Sequence, residues 1–520
     1  MNLLSYWKYL LLLVILVTAS LLRLHTLGEP LQGDLTTYGY IAHNMLDGKL
    51  LYTYLWDHKP PGIYWAYMLA ELMWGYGQHA IVYLGIVFSV LAIVFLYLFL
   101  GRITGPSVAL LGTAFYGLAS NSVALEANEP NVELFLNALI IMSTWGFVLW
   151  SEKGKNGYLC LSGTFLALAT LFKTVAVFPL FFLCIYILLP FSIDNVNRWL
   201  RDRTGKLFWF LAPCALLWLA TFCYFGVNGR FLDFWNAVFA YNADYVNSKG
   251  SLLEHVWTFF STPNLLFHAR LKDVWILVLL SIAWVSFSRE KYSNLRRSFF
   301  VFLSLGLCVA VSSPGRYYSH YYQLFLPILS VLPALFFHDV SERMKQSKGR
   351  YGKAAIIGLM YLTLILLGRY QVQYLAMTPF EISEEKYGKK FVQAYQIAQV
   401  VKHMTKPCDS IYEWGAETSI YYYSKRKSAT GLVYIYPLFT GPKEDRTKRV
   451  QRILDDIVSS MPAVIIYNEA YGINLEESFF AQLIQDKYKL VNKIAPYLIF
   501  EANPREPCEG DKSLDFLGQQ

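Results

Sequence analysis

The chain has 520 residues, 55% of them hydrophobic and 17% aromatic, with a mean hydropathy of +0.35. That is too apolar for an ordinary soluble protein and fits one that crosses a membrane many times. The net charge of +8 does not point to nucleic acid: from Phe380 onward 18 Lys and Arg meet 19 Asp and Glu, so the surplus lies in the earlier part, where it orients membrane helices.

In chain order, eleven stretches have the length and apolarity of membrane spans: about 5–24, 79–101, 106–121, 132–150, 157–172, 174–190, 207–226, 273–288, 298–313, 321–337 and 354–371. The first is too long for a removed signal peptide and lacks a small-residue cleavage site, so it reads as an anchor. With the N-terminus on the cytoplasmic side, the inner connections carry 17 of the 27 basic residues before Phe380 but only six of the 18 acids there. An odd number of spans then places everything after the last one outside the cytoplasm. The expected organisation is a transmembrane region over 1–375 and an extracytoplasmic α/β domain over 380–520.

Three outer segments have content beyond simple connection. The first, 27–78, opens with "QGDLTTYGYIAHNMLDGKLLY". Tyr38, Ile41, Ala42, Met45 and Leu46 follow helical spacing and Gly48 is placed to stop the helix. The pattern predicts an amphipathic helix lying in the membrane interface, with Asp34 placed as its N-cap or as a functional carboxylate. The loop continues into "LWDHKPPGIYW". The second segment, "NSVALEANEPNVELF", sets Glu126, Glu129 and Glu133 three and four apart, on one face if helical: a solvated loop, or an acceptor-binding or metal site. The third, 226–273, carries "FAYNADYVNSKG". Lys173 interrupts an apolar run where an unpaired charge costs ~2.5 kcal/mol or more; it sits at a tight outer hairpin or faces a polar cavity.

Beyond Phe380, "SIYEWG" and "AVIIYNE" read as strands, and "FVQAYQIAQVVKHM" and "DRTKRVQRILDDIVSSM" as helices. No phosphate-binding glycine motif accompanies them, so this part is expected to cover or position the membrane site. Cys408 and Cys508 are the two cysteines outside the apolar region; an oxidising compartment would allow them to pair, and chance co-occurrence accounts for them as well.

The order "GD…TYGYIA…WDHKPPGIY", then "ANEPNVELFLN", "LFKTVAVFPL" and "SPGRYYSHYYQLFLPIL", resembles the GT-C glycosyltransferases. The nearest likeness is to the protein O-mannosyltransferase and aminoarabinose-transferase-like group. The resemblance implies a catalytic Asp34 and a lipid-phosphate contact from Lys59. It also implies donor-binding roles for Lys173, Arg316, His320 and Tyr321, and an acceptor or metal role for Glu133, with Glu129 and His58 as further candidates. Two positions depart from the pattern. Leu35 stands where the group often has Glu, and His58 stands where the aminoarabinose enzymes have Glu before the lysine, which puts a divalent metal in doubt. The implied activity is inverting sugar transfer from a polyprenyl-phosphate donor to a lipid, glycan or protein acceptor in the cell envelope. A lipid or sugar transporter or flippase, and a catalytically lapsed assembly factor, are the alternatives.

Overall fold

The apolar runs become helices in the computed structural model, which describes residues 6–189, 196–262, 294–346, 371–471 and 479–505, together with 365, 368 and 369. The helical part begins with α1 (Trp7–Leu24), α2 (Gly33–Leu46), α3 (Gly62–Trp74), α4 (Gln78–Ile103), α5 (Pro106–Ala119) and α6 (Val132–Lys153). It continues with α7 (Asn156–Phe172), α8 (Val177–Leu188), α9 (Val196–Val227), α10 (Phe231–Trp235), α11 (Tyr241–Asn247) and α12 (Leu252–Ser261). Two later helices, Asn294–Ser312 and Leu326–Gln346, follow.

Nine of the expected spans coincide with described helices; the expected spans 273–288 and 354–371 fall on residues outside the described ones, apart from 365, 368, 369 and 371. Among the described helices, five are long and apolar enough to cross a membrane: Trp7–Leu24, Gln78–Ile103, Val132–Lys153, Asp202–Val227 and Ser319–Glu342.

Local chemistry sets the helix ends. Asn131 caps α6 by accepting from the Val132 amide at 2.7 Å, and Gly154 closes the same helix in the left-handed conformation (φ +67°) that favours glycine. Pro60 and Pro61 precede α3, where a missing amide proton costs nothing.

From Pro379 on, helices alternate with short strands. The sheet runs β2–β1–β3–β5–β4, with β1 (Ser410–Trp414), β2 (Lys427–Ser428), β3 (Val464–Asn468), β4 (Tyr488–Ile494) and β5 (Tyr497–Ala502). β1 pairs parallel with β2 and β3, while β5 is antiparallel to β3 and β4. Side chains alternate across it as a pleated strand requires. Ile411, Val464, Ile466 and Ile499 join a core that continues through helix Lys390–Met404 into α2–α7. Tyr412, Trp414, Ile465 and Tyr467 pack on the opposite face against Ile453 and Ile457 of helix Lys443–Ser460.

This continuity changes the reading of α2. The helix forms where expected, but it does not lie with one face in lipid: residues 35–42 are all buried. Tyr422 packs over Gly39, Thr37 donates to the Thr418 hydroxyl at 2.9 Å, and the Tyr40 hydroxyl accepts the Ser428 amide at 2.7 Å. The chain's own C-terminal part covers the face that hydropathy assigned to the membrane interface. Cys408 is disulfide-bonded, Cys508 lies outside the described residues, and Cys160, Cys184, Cys214, Cys223 and Cys308 are free.

Candidate functional site

A cavity of about 580 Å³ lies between the helical part and the C-terminal part. Eight of the residues singled out from the sequence line it: Asp34, His58, Lys59, Glu126, Lys173, Arg316, His320 and Tyr321. They come from α2, the loop before α3, the segment before α6, the break after α7, and the segment leading into the helix Leu326–Gln346.

Asp34 is the second residue of α2. The N-cap is Gln32, so the Asp34 carboxylate is not used to close the helix end; it sits half-buried in the first turn, where the helix dipole favours an anion. The Tyr38 hydroxyl, one turn on, donates a long hydrogen bond to its Oδ2 at 3.4 Å. Leu35, the departure from the family pattern, points the other way and is fully buried.

The loop before α3 is held from several sides. Asp57 is buried and accepts from the Tyr64 hydroxyl at 2.6 Å, the Tyr434 hydroxyl at 2.7 Å and the His58 amide at 2.6 Å. His58 Nδ1 lies 3.0 Å from Asp57 Oδ1, close but without the alignment of a hydrogen bond. Lys59 Nζ lies 3.1 Å from His58 Nε2. Burial alone would raise the Asp57 carboxyl, but His58, Lys59 and the Tyr64 hydroxyl outweigh it and hold it well below the usual range. Burial and the adjacent ammonium push the His58 imidazole down. Burial opposes the charge on Lys59, yet Asp34 and then Asp57 outweigh it, so the ammonium is stabilised.

The second outer segment is not one helix. Glu126 follows a short 3-10 turn in the left-handed conformation (φ +54°), and α6 starts only at Val132. The three carboxylates therefore diverge onto different basic groups, although the Tyr387 hydroxyl reaches both Glu126, at 3.3 Å, and Glu129, at 3.2 Å. Glu126 Oε2 lies 3.1 Å from His320 Nδ1 and lines the cavity. Glu129 sits behind the wall, 2.8 Å from Lys386 Nζ, with Glu29 on the same ammonium. Glu133 is buried and meets Lys173 at 2.6 Å. Both readings of Lys173 are realised: it sits at the short turn between α7 and α8 and it lines the cavity, with its ammonium 3.9 Å over the Tyr321 ring. Arg316 stacks 4.4 Å over Tyr245, with its Nε unpartnered.

The donor set does not suit a metal. The His58 Nε2 is taken by the Lys59 ammonium, Glu133 and Glu129 are held by ammonium groups, and among the described residues no three His, Cys, Asp or Glu side chains converge.

Sequence reasoning missed much of the wall. Tyr241, Asn242 and Tyr245 come from the "FAYNADYVNSKG" segment, which stood out but carried no role. Tyr387, Lys390, Tyr434 and Tyr436 come from the C-terminal part. No local pattern marks them; only the tertiary fold brings them to the cavity.

The family model described as dolichyl-phosphate-mannose-protein mannosyltransferase matches residues 58–225, a stretch that begins at His58 and excludes Asp34. A comparison with curated proteins finds no sequence match. Among solved structures, ArnT from Cupriavidus metallidurans in the apo state is similar at 14% identity, covering 97% of this chain and 100% of that one, with a TM-score of 0.61. The same protein bound to undecaprenyl phosphate gives 13% identity, 95% and 98% coverage, and a TM-score of 0.62. The Archaeoglobus fulgidus oligosaccharyltransferase AglB, in complex with an inhibitory peptide and a dolichol-phosphate, gives 10% identity, 90% and 70% coverage, and a TM-score of 0.50. The helical part and the C-terminal sheet together are thus built on the GT-C fold, as in ArnT.

Proposed function

We propose that this protein is a membrane-embedded glycosyltransferase of the GT-C type that takes its sugar from a polyprenyl-phosphate carrier and transfers it with inversion. The observation that carries the reading is a single cavity in which the Asp34 carboxylate is set among the cations Lys59, Lys173 and Arg316. ArnT binds undecaprenyl phosphate and AglB binds a dolichol-phosphate on the same fold, which supports a lipid-phosphate donor here.

The chemistry makes two demands. An acceptor hydroxyl must lose its proton as it attacks the anomeric carbon, which asks for a carboxylate within hydrogen-bond reach. Asp34 takes that role, and the poor 3.4 Å hydrogen bond from Tyr38 leaves its lone pairs free for it. The leaving group is a phosphate whose negative charge grows in the transition state. Fixed cations in a water-poor site stabilise it by ~3–4 kcal/mol each. Lys59 serves as a point charge and Arg316 as a planar fork held by Tyr245, with Lys173 and His320 behind them.

The membrane region is multi-pass with a cytoplasmic N-terminus, and the C-terminal part lies on the extracytoplasmic side, where nucleotide sugars are absent and a lipid-linked donor is required. The basic inner connections and the disulfide at Cys408 favour that orientation. The acceptor is a lipid, glycan or protein hydroxyl of the cell envelope.

The test uses purified full-length protein with a panel of polyprenyl-phosphate sugars, following transfer or slow hydrolysis. Asp34→Asn is expected to lower turnover about a thousandfold, and Lys59→Ala or Arg316→Ala about a hundredfold or more. Full activity in Asp34→Asn would sink the mechanism.

A further inference from the structure

We propose that His58 is a positioning residue for Lys59. Asp57, His58 and Lys59 form a side-chain relay that fixes the lysine ammonium in the cavity, in place of any metal bound by the residue before the lysine. The inference rests on the reading of Lys59 as a cation for the donor phosphate.

The geometry runs in one direction. An ammonium can only donate, so at 3.1 Å from Lys59 Nζ the His58 Nε2 must carry a lone pair. The ring is then neutral with its proton on Nδ1, the nitrogen that faces Asp57 Oδ1 at 3.0 Å. Asp57 is fixed in turn by the Tyr64 and Tyr434 hydroxyls, one from each part of the chain. The His58 carbonyl accepts from Asn242 Nδ2 at 2.7 Å, and the Lys59 carbonyl accepts from the Tyr52 hydroxyl at 2.7 Å. The imidazole lies between aromatic neighbours, with Tyr241 and Tyr245 ring centres at 5.4 and 5.9 Å.

This arrangement answers a specific problem. A lysine stem has many rotamers, and a phosphate contact made by a free stem gives up that freedom on binding. The prolines after Lys59 fix where its stem begins, but not where it ends. A neutral acceptor at the tip fixes the end without cancelling the positive charge, which a carboxylate in the same place would do. Tyr245 is shared between the neutral His58 ring and the Arg316 guanidinium, so the acceptor that holds Lys59 and the second cation are set against one aromatic ring. The groups facing His58 are Asp57 and Lys59 on its own loop, Asp34 from α2, and Tyr241 and Tyr245 from α11.

The experiment measures binding of undecaprenyl phosphate to the full-length protein in detergent, with thermal unfolding of each variant as a check on folding. Lys59→Ala is expected to weaken binding about 30-fold or more and His58→Ala about tenfold. His58→Gln, whose amide oxygen restores an acceptor for the ammonium, should return binding to within about threefold of the parent. Because His58 acts through Lys59, the double variant His58→Ala/Lys59→Ala should be no weaker than Lys59→Ala alone. Asp57→Asn, which keeps one of the two acceptor oxygens, sets an amide group against the other tyrosyl hydroxyl and drops the charge, should also weaken binding about threefold to tenfold.

Parental affinity in His58→Ala or in Asp57→Asn, or full addition of the two losses in the double variant, would overturn the relay and leave the Lys59 reading standing. Parental affinity in Lys59→Ala would overturn the reading of Lys59, and the relay with it. A His58→Ala protein that fails to fold shifts the decision to His58→Gln and Asp57→Asn: near-parental and weakened binding respectively support the relay, and any other combination overturns it.

Discussion

Glu126, Glu129 and Glu133 show how little a residue's spacing says about its partner. Each meets a different group from a distant part of the chain: His320, Lys386 and Lys173. Buried ion pairs of this kind contribute little net stability, yet removing one partner leaves a charge stranded at a cost of about 3–5 kcal/mol. The Lys386 ammonium is the sharpest case. It is fully buried between Glu29 and Glu129, and the Asn128 amide holds the second Glu29 oxygen at 2.9 Å. Burial pushes the Glu29 carboxyl up to about 8, only partly offset by Lys386. Lys386→Met should therefore abolish folded protein or lower its Tm steeply. Adding Glu29→Gln and Glu129→Gln to the same chain should recover most of that loss, because no charge is then left unpaired. Thermal unfolding in detergent of the single and triple variants checks both halves.

Among the elements, long apolar runs were legible and short or covered ones were not. The nine spans that coincide with described helices are continuous hydrophobic stretches with little competing structure. From its sequence α3 reads as loop, because 13 residues that include Glu71 are too few for a span and its start signal is the Pro60–Pro61 pair. α2 was placed correctly, but its environment was not, since nothing in its own sequence announces that Tyr422 and Thr418 will cover it. The same limit hid Tyr434 and Lys390 from the site. What positions α3 is a close approach: a Cβ on Gly62 would meet the Leu171 carbonyl oxygen at 2.7 Å and its carbon at 2.9 Å. The contact joins the start of α3, just after Lys59, to the end of α7, just before Lys173. Gly62→Ala should push the two cations apart and lower sugar transfer at least tenfold, with a lower Tm. Gly157→Ala in α7, where a Cβ meets nothing within 4 Å, should leave activity intact and raise stability slightly. Transfer assays and thermal unfolding on the pair distinguish a positional effect from a general one.

At the scale of the whole molecule, the C-terminal part acts as a wall of the cavity and as a clamp on the Lys59 loop. Gly431 accepts the Trp56 amide at 3.1 Å and Tyr434 reaches Asp57, so the state of this part bears directly on the site. Its weak point under changing pH is the acid pair at the end of β1. Glu413 and Glu417 are both buried, with one cation, Lys390, at 2.9 Å from Glu417. Burial pushes Glu417 up to about 7 despite Lys390, and burial with the neighbouring Glu417 raises Glu413 further. A carboxyl whose pKa rises on folding binds more protons folded than unfolded. Its stabilising effect is complete at low pH and is lost as pH climbs from its unfolded value, 4.5, through its folded one. For Glu417 that window ends near pH 7, and the span corresponds to about 3 kcal/mol. The parent protein should accordingly lose thermal stability between pH 5 and pH 7. Glu417→Gln, which cannot ionise, should flatten that decline, so the difference between the two Tm profiles isolates this carboxyl from every other titrating group. Glu413→Gln should also flatten the decline over the same range, because burial and the neighbouring Glu417 favour a proton on Glu413 in the fold that the unfolded chain releases. Parallel Tm profiles for parent and Glu417→Gln would show that Lys390 holds Glu417 ionised throughout, and that the wall of the cavity does not respond to pH through this carboxyl.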